Sequence, residues 1–136
     1  MFEKPFKLEI VTPLKSVFQD EATSLSVPGT LGGFQVLYNH APLLSSLEAG
    51  EMKVRTGDGN DLRFATSGGF VEVKKNSVIV LVEAAERADE INIERARAAR
   101  ERAQKRLHSQ APDIDTERAR MAMIRALNRL KVASRG

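Results

Sequence analysis

The 136-residue chain contains no cysteine and no tryptophan, and it has a single tyrosine, Tyr38. Without cysteine, a disulfide framework and a thiolate metal centre are both excluded. So few aromatic rings leave little surface on which unpaired bases can stack. The longest apolar runs, such as residues 78–82, are too short for a helix to cross a bilayer. The opening Met1-Phe2-Glu3-Lys4-Pro5 has no apolar stretch behind a basic start. The expectation is therefore no secretory signal, and a cytoplasmic compartment or its organellar equivalent.

Signatures of catalysis are missing as well. Gly29-Thr30-Leu31-Gly32-Gly33 and Ser67-Gly68-Gly69 lack the Lys-Ser/Thr pair and the receiving helix of a phosphate loop, so they read as turn or bulge glycines. His40 and His108 have no carboxylate or second histidine at ligand spacing. Ser45 and Ser46 stand outside any nucleophile elbow. The chain reads as non-catalytic.

Charge and composition are divided along the chain. Residues 1–84 carry 8 Lys/Arg against 10 Asp/Glu, whereas residues 85–136 carry 13 against 8. Eight of the nine glycines precede residue 70, and alanine clusters after residue 84. A joint shift in charge and texture marks a boundary, and we place it between residues 1–86 and 87–136.

The first part alternates with period two. Phe6, Leu8 and Ile10 are spaced by Lys7 and Glu9; Met52 and Val54 by Lys53; Leu62 and Phe64 by Arg63; Val78, Val80 and Val82 close the series. This pattern predicts antiparallel strands with one apolar face, arranged as a β-sandwich or barrel. Thr56-Gly57-Asp58-Gly59-Asn60 and Lys75-Asn76 read as hairpin turns.

The second part has helical spacing. Ala96, Ala99, Ala103 and Leu107 form one stripe; Ala119, Ala122, Ala126 and Leu130 form another. Ser109-Gln110-Ala111-Pro112-Asp113 interrupts them, because proline cannot continue a helix. Two helices with a short link predict an antiparallel hairpin. Its alanine seam buries little area, so its own stability is marginal. Each helix opens on a similar element, with Asn92 and Asp115 as N-caps and Glu94 and Glu117 in the first turn.

Arg95 and Arg102 are seven apart on the first helix, and Arg125 and Arg129 are four apart on the second. On closure, these four guanidinium groups are candidates to meet one anion. Three other readings compete: a solvated basic face with pairs such as Glu101–Lys105, a stand-alone nucleotide-sensing hairpin, and a nucleic-acid surface. Against nucleic acid stand the net charge of only +3 and the scarcity of aromatics.

Several stretches together carry a family resemblance. Leu8-Glu9-Ile10-Val11-Thr12-Pro13 opens the chain's first strand. Gly33-Phe34-Gln35-Val36-Leu37-Tyr38-Asn39-His40-Ala41-Pro42-Leu43-Leu44 and Ser67-Gly68-Gly69-Phe70-Val71-Glu72-Val73 follow in order. Ala84-Ala85-Glu86-Arg87-Ala88 and Ile91-Asn92-Ile93-Glu94-Arg95-Ala96 complete the set. In this order and length they resemble the epsilon subunits of bacterial and chloroplast-type ATP synthases. The resemblance implies an antiparallel sandwich of about ten strands followed by a two-helix hairpin. It implies a non-catalytic rotor subunit, with the gamma subunit, the c-ring and the catalytic beta subunits as partners. It further implies a peripheral place on the cytoplasmic side of the inner membrane, and helices that brake ATP hydrolysis. No cofactor is required. Some members bind ATP as a regulatory ligand, and the positions matching that pattern are Glu86, Asn92, Arg95, Arg102, Arg125 and Arg129. The family's usual aspartate is Asn92 in this chain. That substitution predicts weak or absent ATP binding, because the charge that strengthens an acceptor is gone.

Overall fold

The computed structural model describes residues 4–109 and 111–135. Nine strands are present among them: β1 (Phe6–Val11), β2 (Ser16–Val27), β3 (Phe34–Val36), β4 (Leu43–Leu47), β5 (Gly50–Thr56), β6 (Asp61–Thr66), β7 (Gly69–Lys74), β8 (Ser77–Val82) and β9 (Ala85–Arg87). A single 3-10 turn, Ala88–Glu90, then leads into α1 (Ile93–His108) and α2 (Thr116–Arg135).

The strands hydrogen-bond in the order β4-β7-β8-β1-β2-β5-β6-β9, with β3 on β2. The 12-residue β2 belongs to both layers of the sandwich. Its first half pairs with β1, and its second half pairs with β3 and β5. The changeover coincides with a register shift between Ala22 and Ser24, where an irregularity lets a strand change direction. Polar side chains at this point are satisfied: Gln35 Nε2 donates to Ser24 Oγ at 2.7 Å. One pairing departs from the expected antiparallel pattern, since β1 and β8 run parallel. Residues 70 positions apart meet there, so no hairpin dictates their direction.

The alternation seen in the sequence points inward. Phe6, Leu8, Ile10, Val71, Val78 and Val80 from one layer meet Leu25, Met52, Val54 and Phe64 from the other, all at most 2% exposed. Phe64 stacks edge-on against Phe18, with ring centroids 6.5 Å apart. The turns use the expected left-handed residues, Gly59 at φ 89° and Lys75 and Asn76 at 50° and 60°. Gly68, at φ 104°, and Gly69, at φ 156°, hold backbone conformations that other residues rarely adopt. A Cβ on Gly69 would stand 2.0 Å from the Leu81 carbonyl oxygen, so no side chain fits between β7 and β8 there.

The two helices pack on each other through the alanine stripes. Ala96, Ala103, Ala119 and Ala126 are all at most 2% exposed. Asn92 Oδ1 accepts from the Arg95 N–H and Asp115 Oδ1 from the Arg118 N–H, each at 3.0 Å, so both residues cap as expected. Among the described residues, the Glu101–Lys105 pair of the solvated-face reading does not form, and the ion pair within a helix is Glu117–Arg120, at 3.1 Å. Gln110 in the interhelical link lies outside the described residues, as do Met1, Phe2 and Glu3.

A second, smaller core joins the hairpin to the sandwich. Val132 of α2, fully buried, packs with Ala65 of β6 and with Ala88 and Ile91 of the connecting segment.

Candidate functional site

The alanine seam decides where the site forms. Alanine lets the helix backbones approach closely, so longer side chains flanking the seam must splay outward along its edge. On one edge they frame a cleft of about 360 Å³, lined by Glu86, Ala99, Arg102, Ala103, Arg106, Ala122, Arg125, Ala126 and Arg129. Its floor is alanine methyl groups. Its wall has two arginines from each helix, with one carboxylate from β9.

Only one of these cations is visibly neutralised. Arg129 grips Glu86 in a two-pronged contact, Nε to Oε1 at 2.6 Å and Nη2 to Oε2 at 3.2 Å. Among the described residues, Arg102, Arg106 and Arg125 make no ion pair or side-chain hydrogen bond. Three unpaired guanidinium groups around one apolar-floored cleft repel each other and favour a multiply charged anion.

Four of the six sequence candidates, Glu86, Arg102, Arg125 and Arg129, line this cleft. Asn92 and Arg95 do not; both are exposed at the start of α1. Seven residues put Arg95 on the same stripe as Arg102 but about 10 Å away along the axis. Arg106 takes the fourth arginine position instead. Its signal was in the sequence: it lies one turn beyond Arg102, the same spacing that links Arg125 to Arg129.

Asn92 adds a detail of its own. Its side-chain oxygen is spent on the helix cap, so the atom left facing outward is the amide nitrogen, a donor. An aspartate capping in the same way would leave a second acceptor oxygen there.

Comparison with known proteins gives the setting. Residues 5–88 match the family described as ATP synthase, Delta/Epsilon chain, beta-sandwich domain, and residues 89–134 match the long alpha-helix domain of the same chain. The chain belongs to the ATP synthase delta/epsilon chain family. As a member, it is a non-catalytic subunit of that enzyme's central stalk. The ATP synthase epsilon chain of Pelotomaculum thermopropionicum is 52% identical over 99% of this chain and 100% of its own length. That of Desulforamulus reducens is 45% identical over 96% and 98%. A chain of the Euglena gracilis mitochondrial ATP synthase shares the fold, with a TM-score of 0.81 at 19% identity over 97% of this chain and 82% of its own.

Proposed function

We propose that the hairpin of this stalk subunit is a brake on ATP hydrolysis, and that the structure represents its parked position. The sandwich then docks on the gamma subunit and the c-ring and holds the chain at the membrane surface, peripheral and on the cytoplasmic side. In the braking position, α1 and α2 leave the sandwich and reach toward the catalytic beta subunits. A helix as long as α2 spans about 30 Å, enough to enter a catalytic head. Basic side chains exposed on α2, among them Arg118, Arg120, Arg125 and Lys131, suit an acidic surface there.

The observation that carries this reading is the way the hairpin is held. Its alanine seam and small second core bury little area, and its attachment includes a half-exposed ion pair, so the gap between parked and released states is small. Assembling the enzyme with the full chain, or with a chain ending at Ile91, tests the brake. The shortened chain keeps all nine strands and the 3-10 turn and removes both helices. Faster hydrolysis with the shortened chain is expected; equal rates under all nucleotide conditions would exclude a brake.

The same reading extends to ATP as the signal that keeps the brake parked. Arg102, Arg106, Arg125 and Arg129 would hold the phosphates, with Glu86 and Asn92 on the side of the base and Arg95 at the rim. An anion bridging α1 and α2 relieves the repulsion among the arginines and so favours the closed hairpin. Calorimetry with ATP on the isolated chain tests this, and an absence of heat at millimolar ATP would reject it.

A further inference from the structure

We propose that Asn128 is a positioning residue that pins the second helix to the sandwich independently of the arginine cleft. Its side-chain Nδ2 donates to the Gly50 carbonyl oxygen at 2.8 Å and to that of Thr66 at 3.4 Å. Gly50 and Thr66 are direct partners at one end of the β5–β6 ladder. A single amide thus bridges two carbonyl oxygens where the sheet ends.

Its position on the helix supports the assignment. Asparagine is a poor residue for a helix interior, because its side chain competes for backbone hydrogen bonds. Here it stands well inside the 20-residue α2, with its amide turned to the sandwich instead. The neighbouring contacts are of other kinds: Arg129 pairs with Glu86, and Val132 fills the small second core. The helix α2 packs on the 3-10 turn, β5 and β6, whereas the packing of α1 is mainly against α2. Among the described residues, docking of the hairpin therefore rests mainly on residues 128, 129, 132 and 133, within two turns of α2. Of these, only Asn128 reads backbone atoms, so it fixes the position of α2 along the sheet end whatever the charge state of the cleft.

The chemistry also demands a donor. Both partners are carbonyl oxygens, so an ionised aspartate of the same shape would repel them. The docking claim stands on these contacts alone; only its consequence for hydrolysis rests on the brake reading.

The absence of cysteine allows a spin-label pair to be placed at two exposed positions, Glu48→Cys on the sandwich and Lys131→Cys on α2. Distances are measured on the full chain without nucleotide, with Asn128 intact, as Asn128→Ala and as Asn128→Asp. The ratio of undocked to docked hairpin is expected to rise about tenfold for Asn128→Ala and further for Asn128→Asp. Alanine favours the helix itself, so helix melting does not account for that rise. If Asn128 merely fills space, the isosteric Asn128→Asp keeps the native distance, and that result overturns the proposal. Native distances in both variants overturn it as well. In the assembled enzyme the same order is expected in lost hydrolysis. A changed distance with unchanged hydrolysis supports the pin and rejects the brake.

Discussion

Arg129 on the second helix and Glu86 on the last strand are joined by two parallel hydrogen bonds across 43 residues of chain. The pair crosses from hairpin to sandwich and also forms one end of the arginine cleft. Docking and the proposed anion site therefore share a side chain. The pair is partly open to water, so its worth is about 1 kcal/mol despite its two-pronged geometry.

Glu86→Gln keeps the size of the side chain and removes its charge. The undocked hairpin should become roughly fivefold more populated, as measured by tryptic cleavage of α2 in the isolated chain. Arg129 is then released into the cleft, so inorganic tripolyphosphate should bind more tightly than to the native chain. Slower cleavage together with weaker anion binding would show that the pair has been misread.

Asn92→Asp should leave the cap intact and add an acceptor where the native amide presents a donor. ATP binding should tighten by about tenfold or more, the scale of a hydrogen bond to a charged group, while tripolyphosphate, which lacks the base, should bind as before. Equal ATP affinity for the two chains, measured by calorimetry, would make Asn92 a cap and nothing more.

Gly69→Ala forces a methyl group against the Leu81 carbonyl oxygen. The β7–β8 pair must shift, at a cost of about 1–3 kcal/mol, seen as a lower denaturation midpoint of the sandwich. Gly57→Ala, where a Cβ meets open space, is the control and should change little.

Asp61 has its carboxyl held below the usual range, chiefly by its hydrogen bond from Arg55, with Arg55 and Lys53 adding charge attraction. A depressed folded-state value means that this stabilisation is complete above the ordinary carboxylate range. It is lost as pH falls through the lower, folded value. Asp61→Asn should therefore lower stability slightly at pH 7 and have less effect near pH 2, as compared by urea denaturation. The site is exposed, so the effect is small.

The sequence disclosed the elements whose signal is local. Alternation marked the core residues of β1, β5, β6 and β8, and the two caps announced both helix starts. It was silent where the decision is made between distant segments. Nothing near Ile10 or Val80 indicates that β1 and β8 run parallel, and nothing within β2 shows that its two halves serve different layers. The cleft was half legible. Regular spacing identified arginine stripes, but only the place of the cleft along the hairpin selects Arg106 over Arg95. Asn128 gave no signal, since a lone polar residue in a helix usually faces water; its partners are backbone carbonyls 62 and 78 residues away.

The central claim is that the parked hairpin and the braking hairpin are alternative states of one subunit. The most direct measurement is ATP hydrolysis by the assembled enzyme while the hairpin is tethered to the sandwich by a disulfide between Glu48→Cys and a cysteine introduced on α2 at a position found to crosslink in the free chain. The account predicts faster hydrolysis when the tether is oxidised and a return to the slower rate when it is reduced. Equal rates in the two redox states, with the crosslink verified, would contradict it.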